Sequence, residues 1–329
     1  MTRPAVLVTR AVFPEVLERL RAHFDVEDNP DDRSFAKPEL IQRLHGKAGA
    51  MVVAGERIDA EVLDANPQLR AVCNMAVGYN NLDIDACTAR GVVATNTPDV
   101  LTETTADFGF ALMMAAARRM AESEQFLRAG QWKRWAYDMF TGTDVHGATL
   151  GILGMGRIGQ AIARRGALGF GMKVIYHNRS QLDAAVEALL GARWVSKEQL
   201  LAECDHLVIV VPYSAASHHA VGGAEIAQMK PTATLTNIAR GGVVDDAALA
   251  LALRERRIAA AALDVFEGEP QLNPALLTVP NIVLTPHIAS ATTATRRAMA
   301  GLAADNLIAA LGAGPTPGRP PTPINPQVL

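Results

Sequence analysis

The chain has 329 residues, of which 49 % are apolar and 20 % charged, and its formal charge is −3. That length and balance describe a globular protein with room for two domains, and the near-neutral charge gives no reason to expect nucleic acid or an anionic membrane as partner. Three cysteines, Cys73, Cys87 and Cys204, share no C-x-x-C spacing, so neither disulfides nor a metal site is expected, and a reducing cytoplasm fits best.

No apolar stretch approaches the length of a membrane span. The run at residues 5–8 stops at Thr9-Arg10, too short for a signal-peptide core, and reads as a first strand. Residues 14–24 have helical spacing (Val16, Leu17, Leu20, Phe24) with Pro14 in the first turn. Helices follow at 38–44, 60–65 and 84–90, and strands at 50–53, 69–73 and 92–94. This alternation predicts a parallel sheet covered by helices.

Asn96-Thr97-Pro98-Asp99 interrupts the pattern, and a helix is expected from about Glu103 to Met120. Its centre, residues 108–117, carries no charge on any face. A helix apolar all round is expected to be buried all round, between domains or against a second subunit, so a homodimer is expected. Trp132 and Trp135, a few residues on, read as packing residues.

A second β/α series has strands at 149–153, 172–176, 206–211, 233–237, 259–263 and 282–284. A last helix spans 291–311, and the tail from Gly312, with six of the 18 prolines, reads as extended on a surface. The simplest arrangement returns the last helix and tail to the first series. Residues 1–99 with 289–329 then form a discontinuous substrate-binding domain, and 100–288 a dinucleotide-binding one. A cleft separates them, and two neighbouring crossings make a hinge.

The second series opens on Gly151-Ile152-Leu153-Gly154-Met155-Gly156-Arg157-Ile158-Gly159. A strand precedes this G-x-G-x-x-G, a helix follows, and the next strand comes at βαβ spacing. Gly154 permits the tight turn, Gly156 lets a pyrophosphate approach the backbone, and Gly159 lets the helix pack on the sheet. At the end of the next strand, where NAD sites carry an acid for the ribose 2′-hydroxyl, the chain reads His177-Asn178-Arg179-Ser180. With no carboxylate to repel a 2′-phosphate, and Arg179 and Ser180 able to bind one, NADP(H) is the better fit, with NAD as the alternative.

Three residues follow successive strands of this series: Arg240 in Asn237-Ile238-Ala239-Arg240-Gly241-Gly242, Glu269 in Asp264-Val265-Phe266-Glu267-Gly268-Glu269-Pro270, and His287 in Thr285-Pro286-His287-Ile288-Ala289-Ser290. Reduction of a 2-keto acid uses these types. An arginine fork holds the carboxylate, a histidine donates a proton to the developing alkoxide, and an acid behind the histidine fixes its tautomer. His146, His218 and His219 read as surface or structural residues.

These segments, together with residues 75–83 and 95–107, resemble the D-2-hydroxyacid dehydrogenases over nearly the whole chain. The runs 95–107 and 176–180 look most like the glyoxylate/hydroxypyruvate reductase and 2-ketogluconate reductase branch. The resemblance implies an α/β protein of two doubly wound parallel-sheet domains, a Rossmann cofactor domain and a flavodoxin-like substrate domain. It implies Arg240 as substrate ligand, Glu269 as partner of His287, and His287 as proton donor. The amides of Val77 and Gly78 would hold the substrate carboxylate. Thr105, Arg157, Ile158, Asn178, Val211, Pro212, Ile238, Asp264 and Ala289 join the glycines, Arg179 and Ser180 along the cofactor, and members pair as homodimers through the cofactor domain. A formate dehydrogenase is disfavoured because its pattern has glutamine in place of Glu269. The competing reading is a non-catalytic dinucleotide-sensing scaffold on the same fold, at which only the proline-rich tail hints.

Overall fold

The computed structural model describes residues 3–329. The chain forms two compact units: the described residues up to Leu101 with Ala291–Leu329, and Thr102–Ser290.

The first unit holds a five-stranded parallel sheet of β1 (Ala5–Val8), β2 (Asp25–Glu27), β3 (Gly49–Val52), β4 (Ala71–Asn74) and β5 (Val93–Thr95), in the order β2-β1-β3-β4-β5. The interior strands β3 and β4 are buried throughout, as a sheet covered on both faces requires. Asp59 and Asp83 each accept a backbone N–H at the start of the helices Ala60–Asp64 and Ile84–Ala89. The helix Thr293–Ala310 returns to this unit, with Leu307 over Gly49, where a β-carbon would stand 2.6 Å from its methyl group. The tail is more than a surface strand. Ile324 N–H donates to Ala94 O (2.8 Å), and fully buried Asn325 bonds Ala94 and Val92, so the segment covers the exposed edge of β5. The sequence reading has no counterpart for β2, a polar three-residue edge strand.

At the carboxyl ends of these strands a chain of amides shapes one loop. Asn81 Nδ2 donates to Val53 O and Glu56 O, and Asn74 Nδ2 donates to Gly78 O (2.9 Å). Asn96 Nδ2 donates to Val77 O (2.7 Å). Beneath lies Glu56, 2 % exposed, whose Oε2 accepts Val53 N–H (2.8 Å) and the Thr9 hydroxyl (3.1 Å) while buried Oε1 has no partner among the described residues. Burial raises its carboxyl above the ordinary 4.5, against the pull of those two bonds and of Arg10. A carboxyl raised on folding binds its proton more tightly in the native state, so stability falls as pH climbs from the unfolded value through the folded one. Glu56→Gln is therefore expected to raise Tm at about pH 8 and to change it little at about pH 4. An equal Tm change at both would refute this account.

The second unit holds a seven-stranded parallel sheet of β6 (Thr149–Leu153), β7 (Lys173–His177), β8 (Ala192–Trp194), β9 (His206–Ile209), β10 (Thr234–Asn237), β11 (Ala260–Leu263) and β12 (Ile282–Leu284). Its order, β12-β11-β10-β9-β6-β7-β8, reverses direction at β6, between β9 and β7. Ligands bind such sheets at that switch point, beyond the carboxyl ends of the strands.

The apolar helix runs Thr102–Ala117, shorter than expected, because Arg119 is left-handed (φ 53°) and a second helix, Met120–Arg128, starts there. Within one chain only part of its surface is covered. Thr105, Ala106, Gly109, Phe110, Leu112, Met113, Ala116 and Ala117 are buried, but Ala111 is exposed and Phe108 and Ala115 only half-buried. The packing role read for Trp132 and Trp135 does not hold within the chain: Trp135 is 69 % exposed, Tyr137 89 %, and Trp132 is exposed beside them.

Candidate active site

The loop after β6 shows why each glycine stands where it does. Gly154 is left-handed (φ 102°), and a β-carbon there would lie 2.8 Å from Val211 N and Cγ1. At Gly159 a β-carbon would overlap the Gly154 carbonyl, so the helix Arg157–Arg164 seats directly on the turn. Gly156 faces open space, which leaves the backbone at the helix N-terminus approachable by an anion. Asn178 is turned inward, its Oδ1 accepting Met155 N–H (2.7 Å). Arg179 and Ser180 are exposed. Trp194 closes this corner, donating Nε1–H to Asn178 O (3.1 Å) and stacking on His177.

Glu103 pairs with Arg164 and Arg165, and Asp107 with Arg165, pinning the helix Thr102–Ala117 to the one after the glycines. Within it Thr105 Oγ1 is buried without a partner among the described residues. An orphaned hydroxyl of this kind fits a polar group supplied by a ligand. Val211 follows β9 and lies against the glycine turn at Gly154, with Pro212 next in the chain. Ile238 is buried with Cδ1 pointing at Gly109, and its N–H donates to Ile209 O (3.3 Å).

The loops after β10, β11 and β12 interlock. Asn237 braces the first: its Oδ1 accepts Ala239 N–H (3.0 Å) and its Nδ2 donates to Arg240 O (3.2 Å). A β-carbon at Gly241 would overlap the Phe266 carbonyl, so the Arg240 loop lies backbone to backbone on the loop that carries Glu269. Asp264, 0 % exposed, organises the third loop. Its carboxylate accepts the Thr285 hydroxyl (2.7 Å) and the N–H groups of Ile288 and Ala289 (2.8 Å each). His287 is held between these anchors in a left-handed conformation (φ 54°), unusual for a residue with a β-carbon.

This brings the predicted catalytic residues together. His287 Nδ1 and Glu269 Oε2 are 2.8 Å apart, and Glu269 Oε1 accepts Phe266 N–H (2.7 Å). Burial works to raise the Glu269 carboxyl, but the bond to His287, that ring's charge, the Phe266 amide and the charge of Arg240 outweigh it and hold it below its ordinary value. Burial lowers the Arg240 guanidinium below its ordinary value, with Glu269 acting in the opposite sense; arginine stays charged nonetheless. The site thus combines a fixed cation, a carboxylate and an imidazole whose Nδ1 is committed and whose Nε2 is the remaining proton-carrying atom.

In the first unit, Val77 and Gly78 have their carbonyls tied down by Asn96 and Asn74, while their N–H groups have no acceptor among the described residues. Sequence reasoning missed one grouping: His218 and His219 beside Glu267, which only a left-handed turn at His219 brings together.

The family described as "D-isomer specific 2-hydroxyacid dehydrogenase, NAD binding domain" matches residues 110–289. A glyoxylate reductase of Thermococcus gammatolerans is 46 % identical over 331 residues, covering 99 % of this chain and 97 % of the relative. Among solved structures, an NADPH-dependent glyoxylate/hydroxypyruvate reductase of Sinorhizobium meliloti in complex with NADP and malonate superposes with TM-score 0.87 at 36 % identity, covering 100 % of this chain and 98 % of the other. A Thermus thermophilus protein reaches TM-score 0.88 at 40 % identity, with 97 % and 99 % covered.

Proposed function

The chain belongs to the D-isomer-specific 2-hydroxyacid dehydrogenases, and from that premise we propose that it uses NADPH to reduce glyoxylate or hydroxypyruvate to the D-2-hydroxy acid. The observation that carries this reading is the Glu269–His287 pair beside Arg240, on the ligand edge of a sheet that opens with the glycine loop. When bound, the reduced nicotinamide supplies the hydride. Gly154, Gly156, Arg157, Ile158 and Gly159 would hold the pyrophosphate, Asn178, Arg179 and Ser180 the adenosine end, and Thr105, Val211, Pro212, Ile238, Asp264 and Ala289 the remainder.

Arg240 binds the substrate carboxylate and polarises the adjacent carbonyl, and the amides of Val77 and Gly78 are assigned to the carboxylate as well. His287 Nε2 gives its proton to the oxygen as that atom gains charge, with Glu269 keeping the ring in the tautomer this needs. Residues 1–99 with 289–329 serve as the substrate-binding domain, and 100–288 as the dinucleotide-binding one. The scaffold reading loses its one hint, because the proline-rich tail is spent on covering β5.

Turnover of glyoxylate, hydroxypyruvate and 2-ketogluconate, followed as loss of NADPH absorbance, tests the reading. No turnover of any of the three with either NADPH or NADH would overturn it. Arg179→Ala is expected to raise KM for NADPH by roughly 10- to 100-fold, the worth of a charge-assisted bond to the 2′-phosphate, and to leave KM for NADH nearly unchanged. Equal losses for both cofactors would put the phosphate elsewhere.

A homodimer accounts for the open stripe of Phe108, Ala111 and Ala115 and for exposed Trp132, Trp135 and Tyr137, since a patch of this kind marks an interface. Light scattering on the purified chain would test it, and a monomer at micromolar concentration would refute it. A cytoplasmic setting fits three free, buried cysteines; among the described residues no helix is long and apolar enough to cross a membrane.

A further inference from the structure

The left-handed backbone at His219 (φ 50°) turns two adjacent imidazoles to the same side, where the rings of His218 and His219 stack 4.0 Å apart at 21°. In an extended chain such neighbours point to opposite faces. Glu267, from the loop after β11, meets them, with Oε1 2.7 Å from His219 Nε2. A cradle lies between them because residue 242 is glycine. A β-carbon there would stand 3.4 Å from His218 Nδ1, 3.7 Å from Glu267 Oε1 and 3.0 Å from the Tyr213 ring. One ligand atom of each of His218, His219 and Glu267 lies within 4.8 Å of the others.

From this geometry we propose that His218, His219 and Glu267 form a binding site for a divalent transition-metal ion of the zinc class, separate from the reduction site. Two imidazoles and one carboxylate are the donor set of zinc, copper or nickel rather than of calcium or magnesium. Bond lengths of about 2.0–2.2 Å to each ligand place tetrahedral donors about 3.3–3.6 Å apart, so Glu267 Oε1 and His219 Nε2 part from 2.7 Å while the wider pairs close from at most 4.8 Å. His219 is 38 % exposed at its side chain and Glu267 34 %, which leaves a fourth position to water. Around the ligands stand the groups that orient them. Tyr213 OH is 3.2 Å from His218 Nδ1, a weak bond that the ion replaces. Asp245 Oδ2 lies 3.9 Å from His219 Nδ1, beyond hydrogen-bond range but near enough for its charge to favour a cation there. Asp246 fixes Glu267 from the other side by accepting its backbone N–H (3.0 Å). An ion here ties the loop that carries Glu269 to the segment after β9.

The test is calorimetric titration of the chelator-stripped full chain with Zn²⁺ alone, repeated on His218→Ala and Glu267→Gln. Both substitutions replace partly exposed side chains, and NADPH binding checks that each variant is folded. One ion per chain is expected, with affinity falling by roughly tenfold or more in each variant, and with a Zn²⁺-dependent rise in Tm that both variants lose. Co²⁺ added to the unmodified chain should give the visible bands of four- or five-coordinate nitrogen and oxygen ligation. The proposal is overturned by a dissociation constant weaker than about 1 mM, by the pale spectrum of hydrated Co²⁺, or by wild-type affinity in both variants. Binding lost only in His287→Ala would put the ion on the reduction site, and would equally overturn it.

Discussion

Replacing His287 with alanine is expected to lower kcat for glyoxylate reduction by about 10²- to 10⁴-fold, the usual worth of a positioned proton donor, with NADPH affinity nearly intact. The ring nitrogen facing Glu269 is already engaged at 2.8 Å, so no other atom of this side chain can pass the proton. The loop itself does not depend on the ring. Asp264 holds it through Thr285 and the N–H groups of Ile288 and Ala289, and those bonds keep the left-handed backbone that histidine adopts more readily than alanine. Loss of chemistry without loss of cofactor binding is therefore the signature, read by steady-state kcat beside a fluorescence titration of NADPH. Retention of more than about a tenth of the rate would remove the proton-donor role.

Arg240→Gln is expected to lower kcat/KM for the keto acid by about 10²- to 10³-fold, as when one member of a desolvated, hydrogen-bonded charge pair is removed. Arg240→Lys should fall between, since a lysine restores the charge but not the two-pronged fork. The effect should lie in substrate handling, because Asn237 and the close approach of Gly241 to Phe266 hold the loop in addition to the guanidinium's own bond to Ala239 O (2.7 Å). Glutamine turning over as fast as arginine would show that the carboxylate is bound by other groups.

Much of this was legible because it is local. A strand, a left-handed glycine turn and a helix fit within the nine residues from Gly151 to Gly159, and each glycine meets a constraint set by its near neighbours: Gly154 against Val211, Gly159 against Gly154. The buried strands were readable from apolar runs. The edge strands β2 and β8 were not, since Asp25–Glu27 and Ala192–Trp194 carry no two-faced apolar signal. Helix Thr102–Ala117 was only partly readable for a related reason. Its uniform apolarity says that every face avoids water but not what covers each face, and within one chain the stripe through Ala111 stays open. Asp264, which is proposed to line the cofactor, also anchors the loop after β12 through its carboxylate, a role that no spacing in the sequence announces.

The sequence by itself determined the β/α alternation, the glycine loop, the missing acid after β7 and the residue types of the reduction chemistry, because periodicity and turn chemistry belong to short segments. The meeting of Glu269 with His287, the seating of Gly241 under Phe266 and the stacking of His218 on His219 beside Glu267 were decided only in three dimensions. Each joins loops far apart in the chain. The parallel register of β9 through β12 sets where those loops emerge, and the left-handed turns at His219 and His287 set where their side chains point.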